Sequence, residues 1–190
     1  MALTHSNMMN LGTEAPDFTL LDVCSNKNLT LKELKGKKAT MVLFICNHCP
    51  FVIHINPELI RISKDYREKG VSIIAISSND ILAYPQDGPK EMKIFAKNAK
   101  YDFPYLFDDT QEVAKAYDAA CTPDFYIFDK NLRLAYRGRL DDSRPRVEIP
   151  KPLTGSDIRG ALSAIIAEKM VSEIQYPSIG CNIKWKKNEE

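Results

Sequence analysis

The sequence predicts an α/β fold with a central mixed sheet flanked by helices, and three stretches of chain carry that expectation. The first is the continuous apolar run from Ala39 to Ile45, long enough for one strand buried on both faces. The second is a similar run, Val71 to Ser77, separated from it by a segment of helical periodicity, so that strand, helix and strand form one right-handed βαβ unit. The third is the pair Asp124–Phe128 and Leu132–Arg137, joined by Asp129-Lys130-Asn131, which reads as a hairpin of antiparallel neighbours.

The remaining elements follow in order. Ala15 to Leu20 and Leu29 to Leu31 suit a short N-terminal hairpin, and Leu31 to Leu34 a brief helical turn before Gly36. From Pro50 to Lys69 the residues Ile55, Leu59, Ile62 and Tyr66 recur at helical spacing, with Pro57 expected to kink the helix and Gly70 to close it. Residues 80–89 are turn-rich, and a helix is expected from Lys90 to Ala99. Phe103 to Phe107 adds an extended piece. Thr110 to Asp118 adds a helix capped by Asp109 or Thr110. Arg144 to Pro152 is too proline-rich for regular structure. Ser156 is expected to cap a last helix running to Met170, with Ile158, Leu162, Ile165 and Ile166 on its apolar face. One domain over residues 1–175 and a tail over 176–190 complete the plan.

Composition narrows the function classes. The 190 residues are 44% hydrophobic and 27% charged, the balance of a soluble globular chain. With 26 Lys and Arg against 25 Asp and Glu the formal net charge is +1, which gives no basis for nucleic-acid or anionic-membrane partners. The N-terminus has neither a basic start nor an apolar core of a secretory signal, so a cytoplasmic location is expected. The longest apolar run falls well short of the ~20 residues that span a bilayer. Five cysteines without the dense spacing of a secreted scaffold point to chemistry, metal binding or burial rather than stapling.

Cys46-Asn47-His48-Cys49-Pro50 directly follows the first strand, which places two thiols one turn apart at a strand-to-helix junction. A helix N-terminus stabilises a thiolate, so Cys46 is expected to be the exposed, anionic nucleophile. Cys49 is then placed to attack a mixed disulfide formed at Cys46. The same residues allow a competing metal site, with Cys46, Cys49 and Cys121 joined by His48 or His54, although no second CxxC and no His-x-x-x-His supports it.

A βαβ unit with CxxC at its turn, followed by a Thr-Pro, a hairpin and a final helix, resembles the thioredoxin fold over nearly the whole chain. The stretch Gly12-Thr13-Glu14-Ala15-Pro16-Asp17-Phe18 and the insertion between residues 78 and 109 further resemble its peroxiredoxin-like branch, the alkyl hydroperoxide reductase/thiol-specific antioxidant (AhpC/TSA) type. Phe44 to Pro50, Cys121-Thr122-Pro123-Asp124-Phe125 and Pro177 to Trp185 look like those of one thioredoxin-like subgroup. The resemblance implies a thiol–disulfide oxidoreductase, cycling Cys46 and Cys49 against a protein or small-molecule disulfide and regenerated by an external thiol reductant. A homodimer is implied by analogy, and no cofactor is. Pro123 would be a cis-proline facing the CxxC, with the Thr122 backbone as the edge on which an extended substrate docks. The alternative is a trans proline opening an edge strand.

The rival enzyme is a thiol peroxidase with antioxidant activity. Peroxiredoxins carry Pro-x-x-x-Thr-x-x-Cys, but Cys49 is preceded by Cys46 and Val42 at those positions, and Cys46 by Leu43 and Ala39. Their arginine six residues before the strand-ending aspartate is replaced by Pro123, counting from Asp129; Arg137 or Arg139 could substitute from the next strand. A third reading is a metal-binding or non-catalytic binding module. Among modulating residues, Asn47 and His48 lie inside the motif, and a protonated His48 would stabilise the Cys46 thiolate. Its alternative role is a solvent-facing spectator. Cys121 would lie near the pair. Arg137, Arg139, Asp141 and Asp142 either bind a polar substrate group or pair among themselves. Cys181 is either a third redox thiol or an incidental buried cysteine, Cys24 sits in a polar turn without evident chemistry, and Lys184, Lys186 and Lys187 read as solvated.

Overall fold

The computed structural model describes residues 3–187 and contains two sheets. Its elements are β1 (Leu3–His5), β2 (Thr19–Asp22), β3 (Lys27–Thr30), α1 (Leu31–Leu34), β4 (Ala39–Phe44), α2 (Pro50–Arg67), β5 (Val71–Ser77), α3 (Pro89–Ala99) and β6 (Tyr105–Phe107). They continue with α4 (Glu112–Ala116), β7 (Cys121–Thr122), β8 (Asp124–Asp129), β9 (Leu134–Gly138), α5 (Ser156–Ile166) and β10 (Ile179–Asn182). Seven strands form the main sheet in the order β3-β2-β6-β5-β4-β8-β9. The β5 strand is parallel to β4 and β6, while β8 runs antiparallel to β4 and to β9.

The central strand β4 explains the layering. Its six residues are all buried, and alternation sends Met41 and Leu43 to one face and Val42 and Phe44 to the other. The first face packs under α2, α3 and α5 through Leu59, Ile62, Met92, Ile158 and Leu162. The second packs under α4 and the N-terminal segment around Tyr117, Tyr126 and Phe128. The expected α2 stripe of Ile55, Leu59, Ile62 and Tyr66 is buried as a set. The helix runs unbroken across Pro57, because the bond a proline cannot make would go to the carbonyl of Ile53, a residue on the exposed side.

Several boundaries move, each for a physical reason. The N-terminal hairpin pairs Thr19–Asp22 with Lys27–Thr30 rather than starting at Ala15. Helix α4 starts after Gln111, which is drawn into a left-handed conformation because its amide donates to the Ser78 and Lys184 carbonyls at 2.6 and 2.8 Å. Asp108 accepts from the Ala114 N–H at 2.9 Å, while the expected Thr110 hydroxyl accepts from the Glu112 N–H at 3.4 Å. Helix α5 is capped at Gly155 instead of Ser156, and it ends at Ile166 with Glu168 left-handed beyond it.

The largest difference concerns the expected tail. Residues 179–182 form β10, the middle strand of a second sheet ordered β1-β10-β7. Ile179, Cys181 and Ile183 alternate with Gly180 and Asn182, a strand signal that was present in the sequence but weakened by two residues that strands disfavour. Residues 188–190 of that tail lie outside the described residues.

Candidate active site

The site is built where β4 hands over to α2. The β4–β5 ladder extends through the Ile45 N–H to the Ile76 carbonyl at 2.9 Å, then the chain turns so that Cys49 N-caps α2 with Pro50 in its first turn. No acidic side chain occupies that turn to oppose an anion there. The Thr122–Pro123 bond is cis, and Thr122 meets both thiols. Its hydroxyl lies 3.6 Å from Cys46 Sγ and its carbonyl oxygen 3.1 Å from Cys49 Sγ.

Asp87, in the turn-rich loop ahead of α3, was not visible as a site residue in the sequence. It is fully buried and accepts from the Asn47 N–H at 2.9 Å and the Asn79 side chain at 2.8 Å. His48 Nδ1 lies 2.7 Å from the oxygen that accepts from Asn79, and the His48 ring stacks on Tyr84 at 5.6 Å. Asn47 is clamped further by the Gln86 carbonyl and the Tyr105 hydroxyl. An aspartate before Gly-Pro reads as turn chemistry, so no local signal marks it as a partner of the CxxC.

The electrostatics correct the expectation of an exposed, anionic Cys46. Cys46 and Cys49 are 1% and 0% exposed. The Cys46 thiol is held well above its ordinary range, first by its hydrogen bond to Cys49, then by burial and by the charge of Asp87. Cys49 is lowered to about 5 by the hydrogen bond from Cys46, against burial, with further help from Thr122 and Cys181. The two thiols titrate as a pair, and the helix-capping Cys49 is the one whose ionisation is favoured.

The other candidate residues divide. Cys181, carried on β10, has its Sγ 3.1 Å from Cys49 Sγ. Cys121 is buried with its thiol directed at the Pro123 carbonyl, and burial pushes its ionisation far up. Arg139 is committed to Asp157 at 2.7 Å and Asp142 at 2.8 Å, and Arg137 to Gln175 and the Met9 carbonyl. Both arginines are thus engaged by residues outside the CxxC; within the cluster Arg139 pairs with Asp142, while Asp141 accepts from Ser143, Thr154 and Gly155. His54 bonds Ser143 at 3.1 Å, away from the expected zinc set. The donors that do converge are Cys46 Sγ, a His48 nitrogen and an Asp87 oxygen, all within 4.8 Å of one another.

Fold and site together define a class, a thioredoxin-like α/β protein with paired cysteines at a helix N-terminus opposite a cis-proline. A sequence model of the AhpC/TSA family matches residues 11–137. The chain belongs to the AhpC/TSA family. It is 26% identical over 151 residues to the thiol-disulfide oxidoreductase ResA of Bacillus thuringiensis subsp. konkukian, covering 76% of this chain and 79% of that one. A crystallised conserved protein of Geobacillus kaustophilus is 54% identical with a TM-score of 0.95, covering 100% of this chain and 99% of its own. The thioredoxin domain of a Bacteroides vulgatus thiol-disulfide oxidoreductase shares the fold, at a TM-score of 0.61 and 17% identity over 80% of this chain and 96% of that one.

Proposed function

We propose that this protein is a thiol–disulfide oxidoreductase whose working pair is Cys46 and Cys49. One observation carries the reading: at the N-terminus of α2 both thiols meet Thr122 of the cis Thr122–Pro123 bond, Cys46 Sγ at 3.6 Å from its hydroxyl and Cys49 Sγ at 3.1 Å from its carbonyl oxygen. In the reductive direction Cys46 passes its proton to the Cys49 thiolate and attacks a substrate sulfur, and the substrate's other sulfur leaves as a thiolate. Cys49, once deprotonated, attacks Cys46 and releases the reduced substrate, leaving a Cys46–Cys49 disulfide. A protein or small-molecule disulfide and an external thiol reductant are the partners this cycle requires, and the cytoplasm is the compartment proposed for it. The name of the Bacillus relative supports the same activity.

Backbone pairing at Thr122 has a condition attached. β10 already occupies that edge, with Cys181 opposite Thr122, so substrate docking there requires β10 to yield. Docking at the His48 side, where the ring is 20% exposed, does not.

The test is capture. Cys49→Ser is expected to retain substrate as a mixed disulfide through Cys46, seen on non-reducing gels and mapped by mass spectrometry. Capture through Cys49 in Cys46→Ser alone would reverse the roles, and capture by neither variant would refute the reading. A metal-holding role draws on the Cys46, His48 and Asp87 cluster. Stoichiometric zinc in freshly purified protein, lost in Cys46→Ser, would establish that role in place of exchange.

A further inference from the structure

Cys181 is delivered to Cys49 by a strand fixed along its length. In the β10–β7 ladder Cys181 faces Thr122, the residue that contacts both CxxC sulfurs. Gly180 makes this approach possible, since a Cβ at that position would overlap the Thr122 carbonyl oxygen. Before the strand, the Ser178 hydroxyl donates to the Pro123 carbonyl at 2.5 Å, and Ser178 exchanges hydrogen bonds with Ser6. After it, Lys184 donates its N–H to Asn79 at 2.9 Å and accepts from Asp80 and Gln111. Three sulfurs thus lie in one buried group, with Cys49 in contact with the other two. Cys121 on the adjoining strand turns its thiol away.

We propose that Cys181 is a third redox thiol, which takes over the disulfide from the CxxC by exchange at Cys49. The inference rests on the dithiol reading above, because that chemistry supplies the Cys46–Cys49 disulfide. The Cys181 thiolate attacks the Cys49 sulfur; the Cys49–Cys181 bond forms and the Cys46–Cys49 bond breaks. The electron pair of the broken bond leaves on Cys46, which takes up the proton that Cys181 gave up. The protein gains and loses no electrons in this step, so no further oxidant is needed. Cys46 becomes a thiol again beside His48, while the oxidised state is stored beneath β10.

Disulfide mapping tests this on the full chain. Reduced protein is treated with graded oxidised glutathione, quenched in acid, alkylated with N-ethylmaleimide and digested without reduction. Cys46–Cys49 and Cys49–Cys181 linked peptides are expected together, in a ratio independent of the glutathione dose. Cys46→Ser is expected to accumulate the Cys49–Cys181 bond. Cys181→Ser, checked for folding by circular dichroism, is expected to cut alkylation of Cys46 in the singly oxidised protein by about tenfold. Cys181 alkylated at every dose while Cys46–Cys49 forms, or Cys181 bonded to Cys46 instead, overturns the inference and leaves the dithiol reading standing. Absence of any intramolecular disulfide overturns both.

Discussion

Cys49 and Asp124 are buried groups whose protonation the fold moves in opposite senses. Cys49 is lowered from about 9 to about 5, so between these values the unfolded chain keeps a proton that the native protein has released. Cys49 is therefore expected to contribute stability that grows as pH rises through that window and is lost as pH falls towards 5, a contribution that Asp124 opposes up to about pH 8; Cys46, held above its ordinary range, contributes nothing there. Cys49→Ser should remove that rise in denaturant titrations and expose the opposing decline, and the ultraviolet thiolate signal near pH 5 should vanish with it. Asp124, fully buried, is raised to about 8 by burial, only partly offset by the Tyr126 hydroxyl and backbone donors. Its contribution is present below the ordinary carboxylate range and is lost as pH rises towards 8, by at most about 1.4 kcal/mol per unit. Asp124→Asn is expected to remove this decline, and an unchanged stability profile would show that the carboxyl ionises normally.

At the level of elements, α5 shows how a distant side chain sets a helix boundary. Asp141, on the loop after β9, accepts from the Thr154 and Gly155 N–H groups at 2.7 Å each and from Ser143 at 2.6 and 2.8 Å. Burial opposes its charge, yet these donors, led by Ser143, hold its carboxyl below the ordinary range. Asp141→Ala strands the buried donors and is expected to cost about 2–4 kcal/mol, read as a lower Tm and weaker protection of the first α5 amides. A Tm within one degree or so of the parent would contradict that role. The apolar runs of β4 and β5 and the stripe of α2 were legible because they repeat within one segment. The starts of α4 and α5 were not, because Gln111 and Gly155 answer to Ser78, Lys184 and Asp141, residues remote in sequence.

For the molecule as a whole, the second sheet closes the site. Strands β1, β10 and β7 bring both ends of the described chain onto the Thr122 edge and bury three thiols. Gly180→Val is expected to push β10 off β7. If the overlap costs the strand about 1.4 kcal/mol of docking, alkylation of Cys49 by N-ethylmaleimide speeds up about tenfold. An unchanged rate would mean that β10 does not control access to the pair. The α/β architecture, the strand-to-helix junction and the two cysteines placed there could be read from the chain alone, because each is written in neighbouring residues. The folded arrangement alone made Asp87 a clamp on the CxxC, favoured ionisation at Cys49 and set Cys181 against it. Those outcomes depend on burial and on contacts between segments up to 132 positions apart, which no local periodicity encodes.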